Sequence, residues 1–337
     1  MRTLFRKAGR AWFFITNNMP GEHFVLKNTT EVKDFLNESH LHMQKFGDYG
    51  VKIYDIEGCF PNMPKPAIEL ATMDLAKEQM ENTRGVWVPQ AKSKPCRWYV
   101  PKPKKGKKER GTFLPWEVLS EVLTFSLHNA FVQMPDGKIL HQEKGIPMGD
   151  PMSPAMTIGT CGWMEREWMS TLTTRDKISF RARRYMDDIL LFHTKHPSWN
   201  HEKFLADFLK SECYWKPLKL ESAANNTFLE TNFSANQWEL SFRLKNPNEE
   251  TRKVWRYHDY KSCIPYSIKR QVLLCTLKKI DKMASNPSQL RASATPILKE
   301  FQSLHYPTGI LKFMCSIVAR DTQNRIWLDI REEVGKP

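Results

Sequence analysis

The apolar positions along this chain change period several times. VKIYDIEGCF (51–60) predicts a strand running into a turn. Residues 66–83 carry Ile68, Leu70, Met73, Leu75 and Met80 at loosely helical spacing. LPWEVLSEVLTFSLHNAFVQM (114–134) predicts one helix with Leu119, Val122, Leu123, Phe125 and Leu127 on its buried face, and PDGK (135–138) a turn after it. In GIPMGDPMSPAMTIGTCGWMEREWM (145–169), three prolines hold the first part as loop. The second part predicts a helix carrying Met156, Ile158, Trp163 and Met164. Residues 199–213 suit an amphipathic helix, and 218–245 short strands with turns at AANN and NPN. In 268–284, Ile268, Val272, Leu274, Leu277 and Ile280 form an apolar stripe. Lys269, Arg270, Lys278, Lys279 and Lys282 flank it, with Ser267 as candidate N-cap.

The segment RARRYMDDILLF (181–192) sets two carboxylates, Asp187 and Asp188, against an apolar run. Burying acids there is costly without a counter-charge. Adjacent side chains of a strand point to opposite faces, so the two acids share a site only where the chain turns. Tyr185-Met186-Asp187-Asp188 therefore predicts a hairpin with the carboxylates at its tip. Divalent-metal sites gather several oxygens, and Asp55, after the apolar VKIY segment, is the candidate third ligand. Two such strands side by side could hold two Mg²⁺ ions about 4 Å apart, the arrangement used for in-line phosphoryl transfer. Taken alone, Asp55 reads as a surface acid ending a strand.

Charge and composition then narrow the partners. Among 337 residues, 51 Lys and Arg face 37 Asp and Glu, a net charge of +14 that points to a polyanion such as nucleic acid. Seven scattered cysteines, with no CxxC pair, read as reduced thiols of an intracellular protein. No apolar run is long enough for a membrane span. The basic segment 92–110, with Trp98 and Tyr99, has two readings: a solvated hairpin tip, or a phosphate contact with base stacking.

Taken in order, the Asp55 segment, GIPMGDPMSP and Tyr-Met-Asp-Asp resemble the palm of a reverse transcriptase. TFLETNF (227–233), LKNPNEETRKVWRYHDYKSCIPYSIKRQVL (244–273) and FQSLHYPTGIL (301–311) resemble the region after the palm in Penelope-like retroelements. The likeness runs from residue 22 to residue 320. It departs at Glu230, where the family has Asp, at Lys245-Asn246-Pro247 and at His305-Tyr306-Pro307.

The resemblance implies an α+β fold: a right-hand polymerase palm of antiparallel sheet with helices, plus a mainly helical thumb. It divides the chain into a fingers remnant or connection (1–50), a palm (51–233) with the basic insert 92–110, and a thumb-like helical region (234–337). It implies an RNA-directed DNA polymerase of a retroelement, taking RNA template, DNA primer and dNTP, with two Mg²⁺ ions on Asp55, Asp187 and Asp188. Phe60 lies five residues after Asp55, where reverse transcriptases have an aromatic that occludes a ribose 2′-OH. A hydroxyl left unpaired against a phenyl ring costs roughly 1–3 kcal/mol, which disfavours an RNA-dependent RNA polymerase. Gln142, Gly145 and Gly149 would face nucleotide or template, and Lys219 the leaving pyrophosphate. Tyr185, Met186, Arg184, Lys269 and Arg270 would contact nucleic acid. Only 54 residues precede Asp55, without an Arg-Pro pair, and no GIY-YIG nuclease is visible. The fingers are therefore expected to be truncated, which leaves open a catalytically dead nucleic-acid-binding remnant. Relatives without that nuclease are expected to prime from chromosome ends, hence a nuclear location.

Overall fold

The computed structural model describes residues 2–100, 110–210, 213–223, 227–236, 238–249 and 256–335, without the side chains of Thr30 and Glu249. Residues 101–109 of the basic insert lie outside the described residues. In chain order, helices α1 (Arg2–Asn17) and α2 (Val32–Gln44) precede strand β1 (Tyr49–Ile56), the single turn α3 (Cys59–Asn62) and α4 (Lys65–Met80). Strands β2 (Gly85–Pro89), β3 (Arg97–Trp98) and β4 (Gly111–Pro115) lead to α5 (Trp116–His128), then β5 (Phe131–Gln133) and β6 (Ile139–His141). Next come α6 (Ser153–Thr171), α7 (Thr174–Ser179), β7 (Phe180–Tyr185), β8 (Asp188–Thr194), α8 (His201–Leu209) and β9 (Leu220–Ser222). The chain ends in β10 (Thr227–Phe228), β11 (Thr231–Ala235), β12 (Leu240–Leu244), α9 (Tyr266–Lys282), α10 (Pro287–Ser303), α11 (Thr308–Thr322) and α12 (Ile326–Glu333).

Two compact units emerge: Met1–Lys27, Tyr54–Leu191 and Pro197–Ala223 form the first, and Asn28–Ile53, Phe192–His196 and Ala224–Pro337 the second. The fold is α+β, with helices and antiparallel sheets, as the motifs imply. The boundaries differ from a linear division. Residues 1–50 are no separate piece, because α2 buries Val32, Phe35, Leu36 and Met43 and packs with β12 in the second unit. A boundary after residue 233 would cut β11, which pairs on both sides with β10 and β12. The second unit is thus helices on a three-stranded sheet.

The first unit is built around α6. Residues 155–165 of this helix are buried on every face. A Cβ at Gly159 would stand 2.7 Å from Thr16 Cγ2, and one at Gly162 would stand 2.2 Å from Met19 Cε. Glycine at both places lets the N-terminal segment close onto the helix. The central sheet runs β7-β8-β1-β9. Residues 131–133, expected as helix, form a strand pairing with β6 across Asp136-Gly137. Turn chemistry overrides helical spacing there, since Asp-Gly favours a two-stranded hairpin.

Helix α9 corrects two further expectations. It starts after Pro265, so Ser267 lies inside the helix and not at its cap. Its buried residues are Lys269, Leu273, Leu277 and Ile280, while Ile268 is 49% exposed. Lys269 is therefore not a nucleic-acid contact. Its Nζ donates to the carbonyls of Tyr260 and Ser262, 2.7 Å each, and lies over the rings of Tyr260 and Tyr266. The aliphatic stem fills the apolar stripe while two carbonyls and two ring faces take the place of water around the ammonium. Lys278 pairs with Asp321 at 2.7 Å, and Lys279 pairs with Glu230. Arg270 stays exposed, its guanidinium over Phe313.

Lys269→Ala leaves two inward-facing carbonyls without their donor. It should lower the stability of the native state by about 1–3 kcal/mol. Urea unfolding measures this, and a midpoint equal to wild type would show that Lys269 contributes only surface charge.

Candidate active site

Strands β7 and β8 join through Met186 and Asp187, with Met186 at φ 56° in the left-handed region. Asp188 opens β8, so the tip of the hairpin carries both acids. Strand β1 is the neighbour of β8 in the sheet and brings Asp55 to this end. The Ile56 N–H donates to the Asp187 carbonyl at 3.1 Å and ties β1 to the turn. On the other side of β1, Asp55 stands in register with Glu221 of β9. All three aspartates are half-buried.

Like charge in partial burial dominates the electrostatics. Burial, then Asp187 and Asp55, push the Asp188 carboxyl up to about 6. Burial, then Asp187 and Glu221, raise Asp55, against a lowering effect of the Ile56 backbone N–H. Among the described residues, no group of three or more His, Cys, Asp or Glu side chains is drawn together tightly enough to hold an ion. The acids stand as Coulombic neighbours, as mutual repulsion dictates. Their chemistry nevertheless suits a hard divalent cation: carboxylate oxygens from neighbouring strands, near enough to feel one another's charge.

The Gly145–Gly149 loop rests on the turn that follows β1. The Ile146 N–H donates to the Phe60 carbonyl at 2.8 Å. A Cβ at Gly145 would stand 2.4 Å from that oxygen and 2.6 Å from the Pro61 oxygen, and φ is +74°. Glycine is required on both counts. Gly149 has open space where a side chain would project. The Phe60 ring is half-buried and packs on the core. The amide of Gln142 donates inward to the carbonyls of Lys144 and Ile146, at 2.9 and 3.2 Å, so it braces the loop. Lys219 is exposed just before β9, and its carbonyl accepts the Glu57 N–H at 2.9 Å. Tyr185 and Met186 are half-buried at the hairpin tip.

Arg184 corrects another expectation. Its side chain has no exposed surface and pairs with Glu165 of α6, which is equally buried. It cannot reach a phosphate in solvent and acts from beneath the hairpin. Glu165 and Glu221 were missed by the sequence reading. Glu165 is followed directly by Arg166 and Glu167 and so reads as the start of a charged turn, with no local signal that it is the buried one. Glu221 becomes a neighbour of Asp55 only through strand pairing.

No protein-family profile matches the chain, and no curated protein does. Solved structures do resemble it. Telomerase from Candida albicans, in complex with the TWJ fragment of telomeric RNA, superposes with a TM-score of 0.65 at 11% identity, over 97% of this chain and 53% of that one. Telomerase from Candida tropicalis, in complex with the same type of fragment, gives a TM-score of 0.53 at 13% identity, over 94% of this chain and 47% of that one. The chain thus spans about half the length of the telomerase chains it matches. The likeness establishes that the chain shares the fold of the matched part of these telomerase chains. Among the described residues, no helix is long and apolar enough to cross a membrane.

The raised Asp188 gives a pH signature in chelated, metal-free protein. The native state takes up a proton there more readily than the unfolded chain, whose carboxyl titrates near 3.8. The contribution of Asp188 is therefore most favourable below that value and worsens until pH has passed about 6. Asp188→Asn should remove this loss. Urea midpoints on either side of that window measure it, and an identical pH response in variant and wild type would refute the crowding of these acids.

Proposed function

We propose that this chain is the catalytic core of a reverse transcriptase that extends a DNA primer along an RNA template using dNTPs. The observation that carries the proposal is the convergence of half-buried Asp55, Asp187 and Asp188 on neighbouring strands of a polymerase-like fold. Those three side chains would hold two Mg²⁺ ions. When bound, such ions lower the pKa of an attacking primer 3′-hydroxyl and neutralise the departing pyrophosphate.

The remaining residues position and select. The Phe60 ring walls the sugar pocket, with its own carbonyl held by the Ile146 N–H. Gly145 permits the close approach of the loop, and Gly149 leaves room beside the nascent pair. Gln142 keeps that loop in shape. Exposed Lys219 is available to screen or protonate pyrophosphate. Tyr185 and Met186 at the tip and exposed Arg270 on α9 would meet primer–template. Placement within Penelope-like retroelements, and a nuclear location with it, rests on the quoted segments around TFLETNF and IKRQVL.

Primer extension on an RNA template in Mg²⁺ tests the reading. Wild type should incorporate dNTPs in preference to rNTPs, and Asp55→Asn or Asp188→Asn should abolish extension while primer–template still binds. Binding by wild type without extension would leave a nucleic-acid-binding fold and overturn the catalytic reading. Phe60→Ala should relax discrimination against rNTPs by up to about 10²-fold in kcat/KM. Unchanged discrimination would make Phe60 a packing residue only.

A further inference from the structure

Beneath the carboxylate hairpin lies a buried polar network that the proposed chemistry does not use. Arg184 Nε pairs with Glu165 Oε1, and both side chains are at 0% exposure. The other Glu165 oxygen accepts the Phe24 N–H at 2.8 Å, and Oε1 also accepts the Tyr214 hydroxyl at 2.8 Å. Arg184 Nη1 donates to the Met186 carbonyl at 2.6 Å, and Nη2 reaches the Ile158 carbonyl at 3.4 Å. The backbone of Arg184 is held as well: its N–H donates to Phe24 O at 2.6 Å, and its carbonyl accepts the Leu26 N–H at 2.8 Å.

We propose that Glu165, Arg184 and Tyr214 are positioning residues that set the aim of Asp187 and Asp188, acting through the Met186 carbonyl. A buried ion pair is weak support for stability alone, because well-packed apolar residues often do as well. What an arginine adds is a rigid, forked donor that reaches several acceptors at fixed angles. Here one arm of the fork grips the turn residue whose φ of 56° a methionine adopts only when held. The next carbonyl, Asp187 O, is held from β1 by Ile56. The turn is thus clamped from α6 and from β1 at consecutive carbonyls, between which the chain direction of the two acids is decided. Glu165 fixes the guanidinium, and Tyr214 and Phe24 fix Glu165.

This inference rests on the reverse-transcriptase reading, and its test separates the two. The double variant Glu165→Leu/Arg184→Met removes the clamp without leaving an unpaired charge. Tyr214→Phe removes a single hydroxyl and keeps the ring packing. Circular dichroism and thermal melts establish folding. Primer-extension kinetics then give kcat and KM, and electron paramagnetic resonance with Mn²⁺ alone gives ion affinity at the carboxylates without turnover. Misaimed carboxylates should lower kcat about 10²-fold in the double variant, with KM for dNTP little changed. Mn²⁺ affinity should fall about 10-fold or more. Tyr214→Phe should show a smaller loss in the same direction. Wild-type kcat and Mn²⁺ affinity in a folded double variant would overturn the proposal. If the double variant does not fold, unchanged values in Tyr214→Phe overturn it. A wild type that binds Mn²⁺ but extends no primer would defeat the polymerase reading and leave the aim of the carboxylates to be decided by the Mn²⁺ arm.

Discussion

Like charges held together in partial burial are the constraint on which the first unit turns. Asp55, Asp187 and Asp188 lose water and gain one another's field, which is why Asp188 rises to about 6. Left to themselves, such groups would swing apart or draw the chain out to solvent. Two neighbouring strands, a turn with a left-handed methionine and a cross-strand hydrogen bond from Ile56 hold the backbone against that tendency. The backbone thus keeps three acids within one another's field at the end of the sheet.

Helix α6 supplies the rigidity. Its small residues, Gly159 and Gly162, let the N-terminal segment pack at near-backbone distance, and its one deeply buried acid reaches the hairpin through Arg184. Every polar atom of that acid has a partner, so the network behaves as a fixed part and not as a cost left open. The loop that enters the helix is anchored on the Phe60 carbonyl, so the turn after β1 and the loop beside it are parts of one hydrogen-bonded assembly. Movement of either would be felt by the other.

In the second unit, cations that look available in one dimension are spent internally. Lys269 is a buried staple, Lys278 answers Asp321 and Lys279 answers Glu230. Side chains of α9 committed to these partners are less available to an anion in solvent than its count of lysines suggests. Glu230, the point at which TFLETNF departs from Phe-Leu-Asp, has a structural use as the partner of Lys279.

Much of this was legible in the residues themselves. Two adjacent acids before an apolar run demand a turn, and the Tyr185–Asp188 hairpin follows from strand alternation alone. The glycines and prolines of 145–154 announce a loop, because Gly145 and Gly149 take positive-φ positions that glycine adopts without strain. The α+β class came with the resemblance of the ordered motifs to a reverse-transcriptase palm, and the structure bears it out. The rest needed the third dimension. Periodicity reports which positions repeat but leaves the phase of α9 uncertain by one residue, and a lysine that finds two carbonyls and two rings reads as surface charge until they are seen. An arginine before an acidic turn looks like a phosphate contact, and only the approach of Glu165 from nineteen residues earlier turns it inward. Residues 28–53 fold with a unit whose other parts lie more than a hundred residues away, since the apolar stripe of α2 has no partner nearby in the chain. Local propensity is encoded residue by residue. Which charge is buried, and against what, depends on contacts that no local pattern records.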